Sequence, residues 1–174
     1  MKYIYSFIFL FALFSCSSSK TTTTAKPEKF RITQGCPQKA NCEVEIHDNK
    51  TISKKTEETT GKFYPEFIED STKTVIKIVL DLNADQAAVD GQYREEIIFE
   101  WPKNQKQINL ANEDLQDIQL LFGRFCFCDK KTVGYFEIDQ GEINLEEGKF
   151  SLDFKNTQDI PQVLESISGR YKLE

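Results

Sequence analysis

Five cysteines carry the most versatile chemistry in this sequence: Cys16, Cys36, Cys42, Cys126 and Cys128. The last four fall into two close pairs, spaced Cys-x5-Cys and Cys-x-Cys. Two close pairs of thiolates are the kind of set that holds zinc, but these spacings depart from the common zinc patterns. A redox pair is a second option, although the sequence has no Cys-x-x-Cys motif. An even count in an exported chain points first to structural disulfides. Bridging within each pair would join Cys126 to Cys128, two residues apart on an extended strand, with Cα atoms near or beyond the ~6.8 Å limit. The expectation is therefore two parallel bridges across the pairs, stapling the Cys36–Cys42 loop onto the Cys126–Cys128 strand. Each would close a loop of roughly 90 residues, worth ~4 kcal/mol by chain entropy.

Other residues have weaker claims. Asp81, Asn83 and Asp85 have the spacing of calcium ligands, but Gln86 and Gln92 stand where such a loop needs Gly and Glu. The stretch reads as a polar hairpin loop, and no metal site is expected. His47 is the sole His and has no Ser or Cys motif beside it, so no triad is expected. Glu57-Glu58, Glu95-Glu96 and Glu146-Glu147 could supply the carboxylate pair of a glycoside hydrolase, but strand neighbours point to opposite faces, so most read as solvated surface. Arg124 lies on the cysteine side of an apolar strand and should be paired, with a carboxylate the natural partner and anion binding the alternative. Asp70-Ser71-Thr72 resembles the short O-glycosylation pattern of Bacteroidota, which makes Ser71 a candidate acceptor. No catalytic residue and no cofactor are assigned.

Cys16 differs from the other four. An apolar run from Ile4 to Phe14 follows Lys2 and ends at Ser15-Cys16. The run is too short for a membrane span, which needs about 20 residues, and it has the form of a secretion signal. Leu13-Phe14-Ser15-Cys16 resembles the lipobox of bacterial lipoproteins, with Phe14 departing from the small residue usual there. That resemblance makes 1–15 a signal peptide and Cys16 the lipidated first residue, held by palmitate-type acyl chains worth ~0.8 kcal/mol per buried CH₂. The polar stretch after it, 16–30, reads as a disordered tether with a reach of roughly 20 Å. The absence of acidic residues just after Cys16 favours an outer-membrane protein facing the periplasm.

The remaining residues, 31–174, suit one domain. Net charge is −6, or −7 once Lys2 leaves with the signal. Basic residues are scattered, so a nucleic-acid partner is not expected.

Strand patterns dominate. Ile76, Ile78, Leu80 and Leu82 alternate onto one face; Tyr93, Glu95, Ile97, Phe99 and Trp101 do the same, with Arg94, Glu96 and Glu100 opposite. Glu142–Glu146 and Lys149–Phe154 form a hairpin around Glu147-Gly148. Further strands are expected at Glu43–His47, Thr51–Lys55, Leu120–Cys128 and Val133–Asp139, with an edge strand from Arg170. Asn112 could cap a short helix, and Asp159 to Gly169 carries helix punctuation. The fold class is therefore mainly β: an antiparallel β-sandwich or small barrel with one short C-terminal helix.

Gly35-Cys36-Pro37 with Cys42, then Gly123-Arg124-Phe125-Cys126-Phe127-Cys128 and Gly134-Tyr135, resemble small lipoproteins of Flavobacteria and other Bacteroidota, a group with no assigned activity. The resemblance implies the envelope and no mechanism. The expected role is a non-enzymatic binding or structural module, anchored to the membrane by lipid, with an envelope protein or glycan as partner. An exposed aromatic patch, with Tyr93 or Trp101, would suit that role. The alternative is a thiol-based redox or metal-binding protein using Cys36, Cys42, Cys126 and Cys128.

Overall fold

The computed structural model describes residues 30–82 and 92–172. Ten strands run in chain order: β1 Phe30–Gln34, β2 Ala40–Thr56, β3 Phe63–Leu82, β4 Tyr93–Pro102, β5 Ile108–Ala111, β6 Leu121–Cys126, β7 Gly134–Glu137, β8 Gly141–Glu146, β9 Lys149–Phe154 and β10 Ser166–Tyr171. They form two antiparallel five-stranded sheets, ordered β1-β10-β9-β8-β5 and β2-β3-β4-β6-β7. The sheets face each other as a sandwich; no closed barrel forms.

Alternation decides what lies between the sheets. Ile76, Ile78, Leu80, Ile97, Phe99, Trp101 and Phe122 come from one sheet; Ile143, Leu145, Phe150, Leu152, Phe154 and Ile167 come from the other. Each side chain of this size stabilises the fold by ~1.5–3 kcal/mol on full burial. The opposite parity on the second sheet gives Val75, Ile98 and Leu121, which are also buried, in a second cluster with Ile52.

The cover for that outer face is the far half of the β2–β3 hairpin. Partners step from Asp48↔Thr74 to Lys50↔Glu69, so residues 70–73 bulge out of the ladder. Asn49 adopts φ 58° at the same place. Beyond the bulge the hairpin folds back over the sheet. Lys54 Nζ reaches Glu137 on β7 at 2.5 Å, and Lys62 Nζ donates to the carbonyls of Lys130 and Val133. Bulges bend strands in this way.

The β8–β9 hairpin forms as its sequence predicts, with Gly148 at φ 77°. Several expectations need correction. The segments Glu43–His47 and Thr51–Lys55 are parts of one strand passing through the Asp48–Asn49 irregularity, not two strands around a turn. The strand expected over Leu120–Cys128 stops at Cys126. Asn112 begins a 3-10 segment, Asn112–Ile118, but its side chain does not cap it; its Oδ1 accepts from Gly141 N–H instead.

The segment from Asp159 to Gly169 is not a helix. The N–H groups of Val163 and Leu164 donate to the Glu95 carboxylate, and the Gln162 amide donates to Phe154 O and Leu164 O. These tertiary partners outcompete the helical ladder. Gly169 belongs to β10, where a Cβ would fall 2.1 Å from Arg31 O and 2.3 Å from the Phe150 ring. It serves close strand approach, not a helix end. Nor is the last strand an edge: β10 lies between β1 and β9.

Candidate functional site: the Cys126–Cys128 end of the sandwich

The register places both cysteine pairs at one end of the molecule. Cys42 faces Leu80 and Leu82 faces Tyr93; Tyr93 faces Cys126. Cys42 and Cys126 are nevertheless separated by β3 and β4, three strand spacings or ~14 Å. A disulfide needs Cα atoms within ~6.8 Å, so bridges across the pairs cannot form. The cysteines pair locally instead: Cys36 with Cys42 at Cα–Cα 6.0 Å, and Cys126 with Cys128 at 5.4 Å. The sequence expectation failed because it extended the strand to Cys128. The chain bends after Cys126, and that bend brings the sulfurs together. The same separation rules out a single zinc site built from all four thiolates. Among the described residues, no three His, Cys, Asp or Glu side chains group as metal ligands.

Local pairing also changes the energetics. Loops of seven and three residues close by chain entropy for only ~2.4 and ~1.6 kcal/mol, well short of the value for long bridges. The Cys126–Cys128 bridge is therefore a weak staple.

Its surroundings are more specific. Phe127, between the two sulfurs, is 82% exposed, and Cys128 is exposed as well. Behind them Arg124 is only 8% exposed. Its Nη1 donates to Thr132 Oγ1 at 2.6 Å and Thr132 O at 3.2 Å, and lies 3.1 Å from Cys128 Sγ. The 3-10 turn Lys130–Thr132 presents Thr132, and Asp129 caps that turn by accepting from Lys131 N–H at 3.0 Å. The Arg124 Nε donates to Tyr93 OH at 3.3 Å, with the guanidinium carbon 5.3 Å from the ring centroid.

The expected carboxylate is reached through that phenol. Tyr93 OH donates to Glu95, which opposes Arg124 in register and is fully buried. Glu95 also accepts from Val163 N–H at 2.6 Å and Leu164 N–H at 2.8 Å. Burial, then the hydrogen bond to Glu95, pushes the Tyr93 hydroxyl up to about 12. Tyr93 is thus a neutral donor at ordinary pH. The result is a continuous polar path from Cys128 through Arg124 and Tyr93 to Glu95.

Glu95 and Glu96 point to opposite faces, as strand geometry requires. Glu96 accepts from Tyr135 OH at 2.6 Å and pairs with Arg94 at 2.8 Å and Lys77 at 3.2 Å. Burial, then this bond to Glu96, drives the Tyr135 phenol far above its usual range. Glu100 accepts from Ile52 N–H, Thr51 Oγ1, Gln119 Nε2 and Lys73 Nζ. All three carboxylates are occupied by internal donors.

The remaining candidates are scattered. Ser71 is exposed on the β3 bulge, beside Asp70, whose carboxyl is held below its usual range by the Thr72 hydroxyl and N–H. Asp81 is half-buried on β3 opposite Arg94; Asn83 and Asp85 lie outside the described residues, as does Cys16. His47 packs on Phe67 with ring centroids 4.8 Å apart. Trp101 is 3% exposed, its Nε1 donating to Gln105 O at 3.0 Å, so it cannot form a surface patch. Among the described residues, the exposed large apolar side chains are Tyr64, Ile68, Phe127 and Val163. The sequence missed Tyr93 and Thr132 as partners of Arg124. The spacing of Arg124, Cys126 and Cys128, each two residues on, was the available signal.

Fold and site together define a β-sandwich module with an exposed Cys-x-Cys disulfide backed by a buried arginine. No protein family, curated protein or solved structure matches the chain.

Proposed function

We propose that the chain is a lipid-anchored envelope protein, facing the periplasm from the outer membrane, whose sandwich serves as a non-enzymatic binding or structural module. The observation that carries this reading is the position of Phe30. It opens β1 directly after the polar stretch behind Cys16 and pairs with Tyr171. Tyr171 packs edge-on against Trp101, with ring centroids 4.7 Å apart. Trp101 and Tyr93 lie eight residues apart on β4, or ~27 Å at ~3.4 Å per residue. Phe30 thus lies at the Trp101 end of the sandwich, and the exposed Phe127 stands at the Tyr93 end. The commitment of Glu95, Glu96 and Glu100 to internal bonds favours a scaffold over a carboxylate-pair hydrolase. An envelope protein or glycan is the proposed partner.

Growth with an alkyne-bearing palmitate analogue tests the anchor. Labelled, membrane-bound protein is expected, with Cys16→Ser unlabelled. Equal labelling of both, or release of the wild-type chain into the soluble fraction, would overturn the reading.

A further inference from the structure

We propose that Cys126 and Cys128 form a redox-active pair that exchanges with disulfides of other exported polypeptides, with Cys128 as the attacking sulfur and Arg124 holding it as a thiolate. This goes beyond the anchored-module reading and does not depend on the anchor.

Three observations converge. Cys128 is exposed whereas Cys126 is half-buried, so a partner sulfur reaches Cys128 first. The Arg124 guanidinium sits 3.1 Å from Cys128 Sγ, where it stabilises the negative charge left when the bridge opens. That guanidinium cannot swing away: Thr132 holds it on one side and Tyr93 on the other. Cys36 provides the internal contrast. Its sulfur has a long contact to Ala40 O at 3.7 Å and, among the described residues, no such cation. Phe127, projecting between the two cysteines, gives an apolar contact suited to a polypeptide and not to a small thiol alone.

The exchange balances as follows. The Cys128 thiolate attacks one sulfur of the partner disulfide. A Cys128–partner mixed disulfide forms, and the other partner sulfur leaves as a thiolate that takes up a proton. Cys126 then loses its proton and attacks Cys128 Sγ. The Cys126–Cys128 bridge forms, and the second partner sulfur leaves and is protonated. Two electrons pass from this protein to the partner. A dithiol donor drives the same steps in reverse and resets the pair.

The test uses the full chain in detergent and glutathione as the probe. After equilibration across reduced-to-oxidised ratios, free thiols are alkylated and mapped by peptide, which separates Cys16 from the rest. Cys126 and Cys128 are expected to open in buffers where Cys36–Cys42 stays bridged and the circular dichroism is unchanged. In Cys126→Ser, Cys128 should form a mixed disulfide with oxidised glutathione roughly tenfold faster than Cys126 does in Cys128→Ser. Arg124→Gln in the Cys126→Ser background should move the pH profile of alkylation to higher pH, and Arg124→Lys should restore most of it. Joint opening of both bridges only on unfolding, equal reactivity of the two single-cysteine variants, or a pH profile unmoved in Arg124→Gln would each overturn the proposal.

Discussion

Replacing Glu100 tests how the outer layer is held. Its carboxylate is 1% exposed. One oxygen accepts Ile52 N–H at 2.7 Å, Gln119 Nε2 at 2.8 Å and Thr51 Oγ1 at 2.5 Å; the other accepts Lys73 Nζ at 2.5 Å. Glu100→Gln can keep the first three bonds with its carbonyl, but its amide then faces the Lys73 ammonium, donor against donor. A charge-assisted bond is worth ~1.5–3 kcal/mol. Lys73 is 31% exposed and can turn to water, so a loss of about 2 kcal/mol is expected. Glu100→Ala strips all four donors and leaves the Ile52 N–H buried without an acceptor, which should cost about 4 kcal/mol. At ~2–4 °C per kcal/mol, midpoints should fall by about 6 °C and 12 °C. The loss should be local first, because Glu100 joins β4 to the far half of the β2–β3 hairpin. Limited proteolysis should therefore cut the turn at residues 57–62 well below the melting temperature of Glu100→Ala. A melt within about 1 kcal/mol of wild type, or a turn no more cleavable than before, would refute this account.

Two further outcomes follow from the site. Tyr93 has its ionisation raised from about 10 to about 12 by burial and Glu95. A group raised in this way contributes stability that is complete below about pH 10 and is lost as pH rises towards 12. An alkaline stability titration should show that loss, and Tyr93→Phe should reduce it. The double variant Cys36→Ser with Cys42→Ser should lose only about 2 kcal/mol in denaturant unfolding, as expected for a seven-residue loop, and not the ~4 kcal/mol of a long one.

Where side chains alternate against a single core, the sequence was legible. Ile76, Ile78 and Leu80 on β3, and Ile97, Phe99 and Trp101 on β4, face inward as their period predicts. The β8–β9 hairpin was readable from Gly148. Segments answering to distant partners were not. The helix punctuation from Asp159 to Gly169 lost to Glu95, which is remote in sequence and captures two backbone N–H groups. The course of β2 through Asp48 and Asn49 depends on a bulge in β3, invisible from β2 alone. The cysteine pairing is hidden for a related reason. Strand order fixes how far Cys42 lies from Cys126, and pattern does not reveal strand order. Arg124 was located by spacing, but its partners come from β4 and a 3-10 turn that no short motif connects.

The placement of β1 has a consequence for how the molecule is made. β1 hydrogen-bonds to no strand except β10, so the first and last strands of the described chain must meet before its sheet is complete. The β2–β3 hairpin, by contrast, joins neighbours in sequence and can zip up early. A chain emerging N-terminus first would hold its opening strand unpaired until the residues around Tyr171 had followed. Completion of this sheet is thereby coupled to the arrival of β10, the last of the described strands.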